Sequence, residues 1–284
     1  MREGDWSVVP VEQIPRSEQA RQPARAEERR GRVARRRRLN FIPSLAVGIL
    51  LVLLWEMLAR GGLVSDYLLP APLTVLRAFW RVLSDGLLWR YLRVTVLESL
   101  TGFALGAGVA LPLGYLTARS RLAARALEPY IAASQALPAV AVAPLLVLWL
   151  GFGLAPIAAL CALIVFFPAT VNTALGIRRI DPEVMAAARV DGAGAGALLW
   201  AIELPLALPT ILAGLRTSLT LSITGAVVGE FVVGDRGLGG LMTIARGNFD
   251  TPLVFATLLA LAVLASLYYL VASLLELWAW RRVS

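Results

Sequence analysis

Long apolar runs separated by short polar or basic segments dominate this chain. Six of these runs are long enough to cross a membrane, and they are centred on 41–59, 94–118, 130–150, 156–177, 209–233 and 253–279. A hydrocarbon core of about 30 Å takes roughly 20 apolar residues as a helix. Backbone groups in lipid must bond to one another, which a long continuous run achieves as a helix. The pattern therefore predicts an all-α membrane protein with about six transmembrane helices.

The segment between the first two runs has a different periodicity. Apolar residues recur there at helical spacing, and two arginines one turn apart lie on a neighbouring face; these are Leu76, Phe79, Trp80 and Leu83, with Arg77 and Arg81. This spacing predicts an amphipathic helix that lies in the outer membrane interface.

Composition agrees with the membrane class and excludes several kinds of chemistry. The chain is 58% hydrophobic, has no histidine, and has one cysteine, Cys161, within an apolar run. A His- or Cys-based metal site, a disulfide and a histidine-dependent catalytic triad are therefore excluded. All 27 basic residues are arginines, whereas a phosphate-binding P-loop needs a lysine. We expect no catalytic residue, no metal and no cofactor on this chain, so any ATP and Mg²⁺ would be bound by a partner.

Charge predicts the orientation. Residues 1–40 contain eleven arginines and six acidic residues, so we expect a disordered, Arg-rich cytoplasmic tail followed by a transmembrane domain over 41–284. The run Arg35 to Arg38 directly precedes the first span, a position typical of a positive-inside anchor rather than of nucleic-acid binding.

The later loops extend this argument. Loops 119–129 and 178–208 each carry three arginines, and the chain ends on Arg281 and Arg282, while 151–155 is uncharged and 234–252 is balanced. The pattern predicts that both termini are cytoplasmic.

The loop 178–208 has a defined motif. Its residues are three alanines, then a glycine after a gap of three, then Ile-x-Leu-Pro after a gap of nine, namely Ala186, Ala187, Ala188, Gly192, Ile202, Leu204 and Pro205. Asp181 and Pro182 suit the start of a helix over 182–190. We expect a glycine bend and then a second short helix over 195–203, ended by Leu204 and Pro205.

Two short helices joined by a glycine bend would form a compact knob that fits a groove on a partner. The second helix would present an apolar stripe of Leu198, Leu199 and Ile202 with Trp200 at its edge. The alternative is a structural loop whose small residues only pack against neighbouring spans.

Several segments, in order, resemble the permease subunits of type I ABC importers, in the group that transports nitrate, sulfonates, taurine and thiamine pyrimidine precursors. Besides the motif loop, they are LLPAPLTVLRAFW (68–80), PAVAVAPLLVLWLGFG (138–153), FFPATVNTALG (166–176), LPTILAGLR (208–216) and GEFVVGDRGLGGLM (229–242). One departure is visible, since Ala186 replaces the leading glutamate of the family motif.

The resemblance implies a MetI-like fold in the bacterial inner membrane. It also implies a homodimeric pore, two ATPase subunits docked on the motif loop, and an extracytoplasmic solute-binding protein. The solute would be a small organic molecule, a sulfonate-like anion by default or a pyrimidine precursor, and no nucleic acid is involved. An ion-driven secondary transporter is the alternative. It predicts ionisable residues near the midplane, whereas the first four predicted spans carry no charge near their centres.

The resemblance also suggests a solute path. The fifth span lines the path in this family, so Ser222, Thr224 and Glu230 are candidates to contact solute, together with Asn172 near the inner end of the fourth span. Against this, Ser and Thr in helices often bond to their own backbone, and Glu230 could reach the membrane interface. We expect Glu98 to be interfacial as well.

Glycines and alanines mark two further segments. Gly102, Gly106, Ala110, Gly114 and Ala118 recur every four residues in the second span, a spacing that favours close helix packing in lipid. The run 234–240 is rich in glycine and predicts a tight external loop.

Overall fold

The structure, a computed structural model, describes residues 41–61, 65 and 67–283. The chain divides into two compact units, Met1–Val64 and Ser65–Ser284. The first unit contributes helix α1 (Phe41–Arg60). The predicted tail 1–40, with Arg35 to Arg38, lies outside the described residues.

The second unit is built from helices. They are α2 (Pro72–Ser84), α3 (Leu87–Arg119), α4 (Arg121–Ala136), α5 (Ala139–Leu150), α6 (Leu154–Arg178), α7 (Pro182–Val190), α8 (Ala195–Ala197), a π-helical segment (Leu198–Glu203), α9 (Leu204–Val233), α10 (Gly237–Gly247) and α11 (Thr251–Val283).

Among the described residues, four helices are long and apolar enough to cross a membrane: α3, α6, the continuous helix Ala195–Val233 and α11. Helices α4 and α5 make a fifth if the pair, bent by 98°, is counted as one span. The first predicted span, 41–59, forms the 20-residue helix α1, which is not among these four. Its insertion in the membrane stays a prediction.

Small residues bring α3 and α6 into close contact. A Cβ added at Gly106 would lie 2.7 Å from the carbonyl oxygen of Ala162, and one at Gly114 would lie 2.6 Å from that of Thr170. The contacts therefore advance in the same direction along both helices, which means that α3 and α6 run parallel. The predicted packing role of the small residues is confirmed, and it operates within the subunit.

Helix α9 runs antiparallel to α6, because Gly176 lies against Ala207 near one end while Gly229 lies against Ile157 near the other. Helix α11 runs antiparallel to α9, since Arg216 pairs with Glu276 at 2.8 Å while Ile223, later in α9, packs in one cluster with Leu261, earlier in α11. The ends of α3, α6 and α11 and the start of α9 therefore share one end of the bundle, which we call the knob end. Loops 119–129 and 178–208, which were predicted from their charge to lie on one side, therefore lie at the same end of the bundle.

Since α3 and α6 are parallel, the chain between them must return across the bundle. Helices α4 and α5 make this return, with residues 137 and 138 non-helical between them. This broken crossing lies against α6 and α9.

At the end of the bundle opposite the knob end, the predicted helix around Leu76 to Leu83 is observed, and one loop prediction is corrected. In α2 the buried residues are Val75, Ala78 and Val82, whereas Leu76 and Trp80 are exposed. Helix α2 packs on α11, and its position in the outer membrane interface stays a prediction. The glycine-rich run 234–240 is a loop only up to Arg236, because α10 begins at Gly237. Glycines at 237 and 239 allow α10 to start against the Glu230 side chain.

Candidate functional site: the coupling knob and the solute path

The first half of the motif loop folds as its local signals predict. Helix α7 spans Pro182–Val190, and the Asp181 carboxylate caps it by accepting a hydrogen bond from the Glu183 amide at 2.9 Å. Gly192 follows with φ +83°, a left-handed conformation that glycine adopts without steric cost. The glycine bend of the motif is therefore confirmed.

The two halves of the loop pack on each other through a small buried cluster. Met185 and Ala188 of α7 are buried against Leu198 of the π-helical segment, with Ile202 partly buried beside them. This arrangement is the compact knob predicted from the motif, and we define it as residues 182–205. Leu198 and Ile202 therefore hold the knob together instead of forming an outward stripe.

The exposed surface of the knob combines small apolar and charged residues. They are Ala186, Ala187, Gly192, Glu183, Arg189 and Asp191. Two larger apolar side chains also protrude, Val190 at 87% and Trp200 at 71% exposure. Large exposed apolar side chains with a polar surround are typical of a surface that binds another protein.

Leu204 and Pro205 do not end the second helix, which corrects the prediction. The π-helical segment Leu198–Glu203 leads into α9 without interruption, giving one helix over Ala195–Val233. Pro205 lies in the first turn of α9, where its missing N–H costs little. In the wider π-helical turn before it, the Leu204 amide donates a hydrogen bond to the Leu199 carbonyl, five residues earlier. The knob is thus continuous with a membrane-spanning helix.

A buried carboxylate ties the knob to α3. Glu203 is 1% exposed, and its Oε1 lies 2.6 Å from a guanidinium nitrogen of Arg119. Its Oε2 accepts a hydrogen bond from the Tyr115 hydroxyl at 2.9 Å. Glu203 occupies the variable position of the Ile-x-Leu-Pro motif, so the motif alone gave no reason to select it.

The predicted solute-path residues fall in different environments. Ser222 and Glu230 are fully buried inside the subunit, and the Ser222 hydroxyl donates to the Leu219 carbonyl at 2.7 Å. Asn172 is partly buried and donates to the Pro168 carbonyl at 2.8 Å. Thr224 is exposed on α9. The structure does not bring the four together, and their contact with solute stays a prediction.

Glu230 has a clear structural partner set. Its Oε1 accepts a hydrogen bond from Thr95 at 2.6 Å, and its Oε2 accepts one from the Gly239 amide at 2.6 Å. The Leu238 amide donates to the Thr95 hydroxyl at 2.8 Å. These bonds satisfy the first amides of α10, so Glu230 joins α3, α9 and α10 rather than reaching the membrane interface.

Glu98 was wrongly expected at a membrane interface. Helix α3 begins at Leu87, which places Glu98 three turns inside it and 1% exposed. Glu98 lies near Glu230 and interacts with it electrostatically. The hydropathy window missed this because the first turns of α3 contain Trp89, Arg90 and Arg93.

Comparison with known proteins agrees with this architecture. Residues 110–283 match the family of binding-protein-dependent transport system inner membrane components. A riboflavin transport system permease protein of Chloroflexus aurantiacus is 47% identical over 82% of this chain and 88% of its own length. A Bacillus subtilis permease protein named for aliphatic sulfonates transport is 34% identical over 87% of this chain and 90% of its own length.

A solved structure shares the fold. A chain of the inward-facing MetNI methionine ABC transporter matches with a TM-score of 0.57 at 17% identity, covering 70% of this chain and 99% of that chain. Family match, relatives and helix arrangement point the same way: the chain belongs to the binding-protein-dependent transport system inner membrane components and is the transmembrane permease subunit of an ABC importer.

Proposed function

We propose that two copies of this chain form the pore of a bacterial importer, with the knob end in the cytoplasm and a separate ATPase docked on each knob. ATP and Mg²⁺ are bound and hydrolysed on the ATPase subunits, and a solute-binding protein delivers solute at the opposite end. The arginine-rich loops at the knob end support this orientation, which places both termini in the cytoplasm.

The observation that carries the coupling role is the continuity of the knob with α9. One 39-residue helix, Ala195–Val233, begins in the knob and ends at the opposite end of the bundle. Glu203 links the same helix to Arg119 of α3. A displacement of the knob by the ATPases therefore moves α9 and α3 together, as alternating access by rigid elements requires.

The proposed knob contacts are the motif residues Ala186, Ala187, Ala188, Gly192, Ile202, Leu204 and Pro205. Exposure supports direct contact for Ala186, Ala187 and Gly192. Ala188 and Ile202 pack inside the knob, so their role would be to hold the contact surface in shape. Ala186 lacks the carboxylate of the family motif. The exposed carboxylates of Glu183 and Asp191 are the candidates to replace it, beside docking by shape.

For the solute we propose a small organic molecule, with riboflavin as the first candidate. The relative named for riboflavin transport is 47% identical to this chain, against 34% for the relative named for sulfonates. This order changes the expectation from sequence alone, which favoured an organic anion.

Reconstituted transport tests the proposal. The tagged chain would be purified from its host with its ATPase and binding protein and placed in proteoliposomes. We expect uptake of riboflavin that requires ATP and Mg²⁺ and stops when the ATPase is omitted. Uptake driven by an ion gradient without ATP would contradict the proposal and favour a secondary transporter.

A further inference from the structure

A cavity of about 310 Å³ lies where the broken crossing between α4 and α5 meets α6 and α9. Leu137 and Ala139 border it from either side of the break, while Phe167 and Pro168 border it from α6 and Thr217 from α9. Cavities that bind small molecules begin at about 300 Å³. The cavity is therefore large enough for a compact organic solute.

The cavity lies at mid-depth in the bundle. Phe167 and Pro168 are at the centre of α6, which spans Leu154–Arg178, and Thr217 is near the centre of α9. Non-helical backbone at membrane depth is tolerated where it is buried in protein or lines a cavity. The break after Ala136 satisfies this condition, because residues on both sides of it border the cavity.

The lining of the cavity is uncharged and mostly apolar. All ten lining residues are neutral, and three of them are polar, namely Ser134, Gln135 and Thr217. The Ser134 hydroxyl donates to the Ile131 carbonyl at 2.6 Å and the Thr217 hydroxyl donates to the Ala213 carbonyl at 3.2 Å. Their oxygens can still accept hydrogen bonds, and the exposed Gln135 amide can both donate and accept.

We propose that this cavity binds the planar, uncharged heteroaromatic ring of the transported solute, with Gln135 pairing with its amide or imide edge and Phe167 packing on its face. An imide edge alternates acceptors with a donor, which the Gln135 amide complements. An aromatic ring beside it favours a flat partner. A sulfonate would find no counter-charge in the lining, and an unpaired charge at membrane depth is unfavourable.

The inference rests on the proposed function and deepens it by naming the solute class and its site. Its test uses the whole transporter in proteoliposomes with riboflavin as the probe and ethanesulfonate as the anionic comparison. Gln135→Leu keeps a similar volume and removes the hydrogen bonds. We expect its apparent KM for riboflavin to rise about tenfold, the effect of losing one or two hydrogen bonds to a buried ligand.

Two serines provide a matched control. Ser134 and Ser266 both donate to a carbonyl of their own helix, at 2.6 and 2.8 Å, but only Ser134 lines this cavity. We expect Ser134→Ala to raise the apparent KM about threefold, as loss of a single weak hydrogen bond does, and Ser266→Ala to leave it unchanged.

The outcomes separate the two levels of the account. A wild-type KM in Gln135→Leu, or equal effects of the two serine variants, would overturn the cavity as the solute site while leaving ATP-driven import intact. ATP-dependent uptake of ethanesulfonate but not riboflavin would overturn the solute class. Absence of any ATP-dependent uptake would contradict the proposed function itself.

Discussion

Arg119→Met is expected to lose about 1–3 kcal/mol of folding stability, the cost of leaving a buried acceptor without its partner. Arg119 is itself 35% exposed, so the loss falls below the range for a fully buried ion pair. The substitution leaves the Glu203 carboxylate, 1% exposed, without the guanidinium that lies 2.6 Å from it. A single hydrogen bond from Tyr115 would remain, which is not enough to compensate a buried charge. We would measure unfolding in mixed micelles by tryptophan fluorescence.

The double variant Arg119→Met, Glu203→Met provides the control. It removes both charges, so no uncompensated carboxylate stays buried, and we expect it to recover most of the lost stability. Its ATP hydrolysis should nevertheless be less tightly coupled to transport, because the link between the knob and α3 is gone. A double variant as unstable as Arg119→Met would show that packing, and not the ion pair, determines stability at this position.

Gly106→Leu is the second variant with a large expected effect. The first atom of any side chain at this position would lie 2.7 Å from the carbonyl oxygen of Ala162 and 3.0 Å from its Cα. Backbone atoms cannot move aside as a flexible side chain can, so α3 and α6 must separate. Overpacking typically costs about 1–3 kcal/mol and sometimes more, and we expect little monodisperse protein by size-exclusion chromatography.

Gly108 is the matched control for this prediction. It lies two residues along the same helix, and a Cβ built there meets nothing within 4 Å. Gly108→Leu should therefore be purified in wild-type yield. If both variants give little monodisperse protein, the loss reflects impaired membrane insertion of α3 in general. If both are purified in wild-type yield, the close packing of α3 on α6 is not needed for folding.

The helical class and the first half of the knob could be predicted because both depend on local signals. Apolar runs long enough for a bilayer leave helix as the only solution. Asp181, Pro182 and Gly192 act through the backbone of their nearest neighbours, so α7 and the bend could be predicted from a few residues each.

Features that depend on packing between distant segments could not be predicted in this way. The pairing of Glu203 with Arg119 follows from the alignment of α9 with α3, which no local pattern encodes. Pro205 was expected to end a helix, but the π-helical turn before it allows the helix to continue. Glu98 was expected at the interface and Glu230 was a candidate for solute contact, because no residue near either of them in sequence shows that both are buried against other helices.

Site-directed crosslinking from the knob tests the central claim most directly. Cys161 is the only cysteine in the sequence and is fully buried, so one added cysteine provides a single accessible thiol. Ala187→Cys, exposed on the knob, and Asn248→Cys, exposed at the opposite end, would each carry a thiol-linked photocrosslinker in the assembled transporter. We predict that Ala187→Cys captures the ATPase and that Asn248→Cys does not. Capture of the ATPase from Asn248→Cys but not from Ala187→Cys would contradict both the coupling role and the orientation.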